Sequence, residues 1–288
     1  MINKSEDKKT MIHWKRAKKS SLYQLFCLAL GLLLMTPLIY AVCISFMRPD
    51  EVLTKQFHFL PNSFYLGNYV IALEQTKIFR FMFNSFIVAF VSSVVRIVTA
   101  SMAAFSFAFF DYKGKKILFY LVVGSMIIPA DVLVVQNYFT TAQLRLINTY
   151  VGMMVVFFVS AMNIFVMRQH FLTYSKSLRE AALVDGCGNF TFYARILLPS
   201  STPVIATVFI SSFVGTWNTY LWPLLVTNIN DMRTAQVAIT MLNINEGSSY
   251  GYGTIMAAAV MILIPSILVF LLFQKRIVGG MMTGAVKE

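Results

Sequence analysis

The chain has 288 residues, 58% of them hydrophobic and 12% charged, with a formal net charge of +12 and a mean hydropathy of +0.69. A water-soluble domain carries about 25% charged residues, so half that share leaves an apolar surface that only lipid can cover. The basic surplus does not read as a nucleic-acid patch, because the Lys and Arg residues fall at the ends of apolar runs, where a membrane accounts for them.

Residues 1–21 hold seven Lys and Arg, Lys8, Arg16 and Lys19 among them, and precede an uncharged run of 25 residues, Leu22–Phe46. That run is too long for the apolar core of a secretory signal and ends without a small-x-small cleavage site. It is expected to stay as a transmembrane helix. A crossing takes about 20 mostly apolar residues, and five later stretches qualify: Met82–Phe110, Ile117–Phe139, Thr149–Met167, Val204–Thr227 and Thr254–Phe273. The predicted fold class is therefore an all-α integral membrane protein with six transmembrane helices in residues 22–274, flanked by tails at 1–21 and 275–288. Seventeen of the 24 Lys and Arg residues fall in the two tails and the second and fourth loops; six fall in the other loops, and Arg96 lies inside a span. The positive-inside rule then places both termini in the cytoplasm of a multi-pass cell-membrane protein in contact with lipid.

Chemistry within the spans is sparse. Cys27, Cys43, Cys187 and the three histidines are scattered, implying neither a disulfide framework nor a metal site. Gly114-Lys115-Lys116 lacks the earlier glycine and the Ser/Thr of a phosphate-binding loop. No catalytic residue, metal ligand or cofactor site is expected in this chain. Two charges lie deep inside spans. Arg96 stands 14 residues before Phe110 and Asp131 stands 14 residues after Ile117, so in straight helices both lie about 21 Å above the cytoplasmic boundary. Each alone costs about 2.5–3.5 kcal/mol in a bilayer, and the expectation is an ion pair. The competing arrangement leaves Asp131 in an outer, water-filled vestibule, with Pro129 bending the helix, while Arg96 snorkels or bonds backbone carbonyls.

The fourth loop, residues 168–203, is longer than a helix connection needs. Ser177-Leu178-Arg179-Glu180 fits a capping box, Ala181 to Asp185 continues a short helix, and Gly186 suits the left-handed residue that ends one. A second helical stretch, Phe190 to Leu198, runs to Pro199. Two short helices joined at a glycine bend are predicted on the cytoplasmic side.

Glu180-Ala181-Ala182, three residues, Gly186, nine residues, then Ile196-Leu197-Leu198-Pro199 resembles the EAA motif of ABC importer permeases. Other segments are similar to the carbohydrate-uptake branch, near its maltose-G-type members: Phe83-Asn84-Ser85, Ala104 to Ala108, Met126-Ile127-Ile128-Pro129, Asn148-Thr149-Tyr150, Thr216-Trp217-Asn218, Leu221-Trp222-Pro223-Leu224 and the tail from Gln274 to Lys287. Arg96, Asp131 and Thr219 depart from it, standing where apolar, small and acidic residues are expected. The resemblance implies a type I ABC importer permease fold. It also implies a second homologous permease, two ATPase subunits that bind the ATP and Mg, an extracellular solute-binding protein and a sugar substrate. It assigns coupling to the ATPase to Glu180, Ala181, Ala182, Asp185, Gly186, Ile196, Leu198 and Pro199, and a reach toward the ATPase to the C-terminal tail.

Trp217, Asn218, Tyr220 and Trp222 admit two readings. They are interfacial aromatics, or, with Arg96 and Asp131, they line a translocation path on which rings meet sugar CH faces and amides meet hydroxyls. A permease for a polyamine, peptide or phosphonate shares the EAA motif. An ion-coupled secondary carrier is a more distant rival, since it needs intramembrane relays and usually internal repeats.

Overall fold

Apolar runs long enough to cross a bilayer close their own backbone hydrogen bonds by becoming helices, and among the described residues no β-strand occurs. The structure, a computed structural model, describes residues 4–52, 58–75, 77–244 and 251–285; Val286 and Lys287 of the expected tail motif lie outside them, as does Glu288. Three helices carry straight crossings: Tyr23–Ser45 within α1 (Lys4–Ser45), the whole of α4 (Ile78–Phe109), and Tyr252–Leu272 within α15 (Tyr252–Ala285). Each lies within about four residues of the predicted span.

The remaining crossings are broken. The third divides into α5 (Lys115–Gly124) and α6 (Val134–Gln143), with 3-10 turns between them, and turns through 90°. The corner lies at Ile128-Pro129, where the proline ring drives the preceding residue to an extended ψ of 116°. The fourth divides into α7 (Tyr150–Met154) and α8 (Ala161–Phe171) and bends by 50°. The fifth predicted span holds α12 (Thr202–Trp217) and α13 (Leu221–Val226), and α12 also turns through 77° from the helical segment Asn189–Ser200 that precedes it. Counting each of the three bent pairs as one crossing gives up to six among the described residues.

The chain packs as two units. One comprises residues 1–72 and 250–260 and contains α1, α2 (Pro49–Val52) and the start of α3 (Gly67–Gln75). The buried Asn68 amide donates to the carbonyls of Ser45 at 3.0 Å and Met47 at 2.7 Å. It thereby closes orphan acceptors at the end of α1. Ser45 Oγ and the Tyr69 hydroxyl share a further bond of 2.8 Å. Along α1, Leu25, Leu33 and Leu34 stay exposed in this unit, as lipid-facing side chains do.

The other unit, residues 73–249 and 261–288, is organised around α4. Small side chains recur along one α4 face: Ser85, Ala89, Ser92, Ser93, Ala100, Ser101, Ala104 and Ala108 are all buried. They let α8 and α12 approach closely, the usual basis of helix association in lipid. Toward the Phe109 end of α4 this seam opens into an apolar core of Phe107, Phe109, Met167, Phe171, Phe192, Leu197 and Val208.

Candidate functional site

Within loop 168–203 the chain forms two short helical segments rooted in that core. The first, α9 (Lys176–Val184), begins two residues earlier than the capping box requires: Ser175 takes the N-cap position with extended φ and ψ and no side-chain cap bond. Ser177 sits in the first turn and bonds the Ser175 hydroxyl at 3.0 Å. Glu180 therefore does not fold back onto a cap. It is exposed and makes no ion pair among the described residues.

Gly186 ends α9 as expected, at φ +77°. Its amide donates to Leu183 O at 3.1 Å and the Cys187 amide to Ala182 O at 2.8 Å, the paired closure of a Schellman motif. No atom lies within 4 Å of a Cβ built on Gly186, so conformation alone demands glycine. Gly186→Val is expected to cost about 1–2 kcal/mol through the left-handed backbone and to misdirect the second segment, with Gly186→Ala milder. Limited proteolysis of the loop at wild-type expression reads this out; an unchanged cleavage pattern in the valine variant would place the bend elsewhere.

The second segment is continuous from Asn189 to Ser200, through α10 (Asn189–Thr191), a π-helical turn at Phe192–Leu197 and α11 (Leu198–Ser200). Bonding from i to i+5 stacks Phe192 over Leu197, and both are fully buried. Tyr193, also buried, bonds Ser101 of α4 at 2.7 Å.

Arg179 ties the loop together, a role that sequence reading missed because a basic residue in a cytoplasmic loop already satisfies the positive-inside rule. One Nη donates to Phe109 O at 2.8 Å and the other to Asn189 Oδ1 at 2.7 Å, while the guanidinium lies 4.8 Å from the Phe110 ring centre. It thus caps the carbonyl end of α4, where a cation is favoured, and links both segments to that end. Lys115 caps the next carbonyl, Phe110 O, at 2.6 Å.

The expected docking residues divide between two faces. Ala182 is buried in the core, and Ile196 and Leu198 are half-buried against it. Glu180, Ala181, Asp185, Gly186 and Pro199 are exposed, together with Leu183 and, unforeseen, Val184 at 87% and Phe190 at 73%.

Deeper in the membrane the expected ion pair is not formed. The 90° turn at Pro129 takes Asp131 off the straight-helix axis on which its height was reckoned, and Asp131 is exposed without an ion pair among the described residues. Arg96 instead donates from Nε to Phe157 O at 2.6 Å, and Thr99 Oγ1 bonds Phe158 O at 2.7 Å. Both acceptors lie at the break between α7 and α8, whose carbonyls lack helical partners. Trp217 is 2% exposed and stacks on Phe213 at 6.0 Å, and Trp222 is equally enclosed. Asn218 is exposed, Tyr220 and Gln236 are half-exposed, and Gln236 Nε2 donates to Asn218 Oδ1 at 3.4 Å.

The profile of the family described as binding-protein-dependent transport system inner membrane component matches residues 85–282. The chain belongs to this family. It is 30% identical over 267 residues, 91% of this chain and 94% of the relative, to the arabinooligosaccharides transport system permease protein AraQ of Bacillus subtilis (strain 168). It is 32% identical over 262 residues (88% and 93%) to the sn-glycerol-3-phosphate transport system permease protein UgpE of Brucella melitensis biotype 1. In fold it matches a chain from the crystal structure of a bacterial ABC transporter involved in the import of the acidic polysaccharide alginate. The TM-score is 0.78 at 22% identity, over 96% of this chain and 98% of that one.

In this permease the other segments behind the resemblance meet at the end of α4 opposite the loop. Buried Asn84 donates to the carbonyls of Asp231 at 2.8 Å and Arg233 at 2.9 Å and accepts from the Tyr150 hydroxyl at 2.6 Å. Ser85 Oγ accepts from the Ala235 amide at 2.9 Å, satisfying the first turn of α14 (Ala235–Ile244) from another helix. Asn148, at φ +59°, accepts from the Asn228 and Ile229 amides at 2.6 and 3.2 Å, and Thr149 caps α7 through the Gly152 amide. Lys77 bonds Asp231 at 2.6 Å on the surface, and that bond and its charge hold the Asp231 carboxyl below its ordinary pKa.

Proposed function

We propose that this chain is one permease subunit of an ATP-driven importer that carries a sugar or oligosaccharide across the cell membrane by alternating access, with both termini in the cytoplasm. Family membership, a permease fold and relatives named for carbohydrate and glycerol-phosphate transport support the reading. The names of those proteins include both neutral and anionic cargoes. A second homologous permease completes the pore, two ATPase subunits hold the ATP and Mg, and an extracellular binding protein delivers the solute. The chain itself holds no cofactor and hydrolyses nothing.

The observation that carries the coupling role is the outer face of α9 and α10. Val184 and Phe190 stand largely exposed beside Glu180, in a segment whose inner face is fastened to α4 by Arg179 and Tyr193. An apolar, acid-bearing helix face at the water boundary fits helix-in-groove docking. ATP binding by the partner subunits moves this segment, and the permease pair switches between two rigid arrangements. Asn218 and Tyr220 are accessible polar groups in the irregular stretch between α12 and α13, where they suit contact with sugar hydroxyls.

Glu180→Ala tests the coupling. Membrane insertion should be normal, because Glu180 closes no cap, while co-purification of the ATPase weakens and uptake falls at least tenfold (about 1.4 kcal/mol). Uptake at the wild-type rate from equal protein would remove Glu180 from the coupling interface.

A further inference from the structure

We propose that Arg96 forms an anion subsite on the translocation path and that the sugar carried bears a carboxylate or phosphate; this rests on the sugar-import reading above. Arg96 lies 13 residues before the end of α4 and 18 after its start, about 20 Å and 27 Å along the axis. It is therefore well inside the crossing, where a lipid-facing charge is not tolerated and an ionisable side chain marks a substrate pathway or a protein partner.

Its surroundings hold it in place without neutralising it. Nε donates to Phe157 O at 2.6 Å and the guanidinium lies 5.6 Å from the Phe157 ring centre, which fixes the plane of the fork. The Nη groups bond no described residue, and no described carboxylate pairs with Arg96. The side chain is half-exposed. The adjoining backbone, Phe157 to Ser160, is the break in the fourth crossing, and irregular backbone at membrane depth persists only when packed in protein or lining a water-filled cavity. A preset, positively charged fork beside such a break matches the two oxygens of a carboxylate or phosphate. A neutral sugar offers hydroxyls and no countercharge. Of the two cargo classes among the relatives, Arg96 selects the anionic one.

The test uses the complete complex, with its own partner permease, ATPases and binding protein, reconstituted in lipid vesicles. Uptake is measured for trigalacturonate and its neutral methyl ester, for sn-glycerol 3-phosphate and glycerol, and for maltotriose. The wild type is expected to prefer an acid over its neutral counterpart, and which acid is preferred distinguishes carboxylate from phosphate. Arg96→Gln should raise KM for that acid at least tenfold and reduce the acid-to-neutral preference by the same factor, with Arg96→Lys between the two. Transport of neutral probes only, or an unchanged preference in Arg96→Gln, overturns the subsite and leaves sugar import standing. Arg96→Gln that no longer co-purifies with the partner permease, while Arg96→Lys does, assigns the charge to the subunit interface and also overturns it. Absence of uptake and of probe-stimulated ATP hydrolysis for every sugar removes the import reading itself, and the subsite with it.

Discussion

Replacing Arg179 by methionine is expected to detach the loop of α9 and α10 from α4 while leaving the membrane helices folded. The guanidinium supplies two short hydrogen bonds, to Phe109 O and Asn189 Oδ1, and packs on Phe110. Bonds from charged donors are worth about 1.5–3 kcal/mol each, so their joint loss costs about 3 kcal/mol or more and exposes the last carbonyls of α4. Methionine keeps most of the side-chain volume but no donor. Amide exchange in residues 176–200 should rise more than tenfold while α4 and α8 keep their protection. On the proposed coupling, uptake should fall further than ATP hydrolysis, because the ATPase would still turn over against a loop released from α4. Arg179→Lys keeps the charge but not the fork and should recover part of both. Unchanged exchange in the methionine variant would show that Phe192 and Tyr193 hold the loop without it.

The second large effect is expected at Gly152. A Cβ there would collide with the carbonyl oxygen of Leu146, a backbone atom with no freedom to swing aside. The Gly152 carbonyl accepts from Trp222 Nε1 at 3.2 Å and its amide donates to Thr149 Oγ1 at 3.0 Å. Pushing residues 146–149 away therefore also disturbs Asn148 and its bonds to residues 228 and 229. Overpacking of this kind costs about 1–3 kcal/mol by itself, and the linked hydrogen bonds raise the total. Gly152→Ala should reach the membrane at a fraction of wild-type level, with Tm lowered by several degrees in detergent. A wild-type Tm would mean that the 146–149 turn yields freely.

The positions of the straight crossings were legible because their signal is local: an uninterrupted apolar run bounded by charges. The breaks were legible only in part. Pro129 marked its corner but said nothing of the angle, and the fourth crossing has no proline between Tyr150 and Phe171. Its break is sustained from outside, by Arg96 and Thr99, some sixty residues away in sequence. Gly186 could be placed from sequence since a positive φ demands glycine. The start of α9 was misjudged because Ser175 and Ser177 both offer a capping residue, and only tertiary packing chose between them. Ala181 and Ala182 look alike in sequence, yet one faces solvent and the other is buried; which side of a short helix is inward depends on Phe109, Phe192 and their neighbours. Asn84, Ser85 and Asn148 were visible as parts of a resemblance, and their partners at 228–235 became apparent only in three dimensions.

The broken crossings also bear on how the chain enters the bilayer during synthesis. A segment such as α5, ten residues long, measures about 15 Å, half the hydrocarbon thickness. Backbone groups that leave the helical ladder at the Ile128-Pro129 corner would find no partners among acyl chains. Such a piece cannot partition alone in the way α4 can, with 32 residues in one unbroken helix. α4 leaves the ribosome first and already bears the small-residue face on which α8 and α12 settle, and Phe107, against which Phe119 of α5 packs at 5.5 Å. The later, kinked segments are thus laid down on a template that precedes them in the chain, and the order of the sequence serves as the order of assembly.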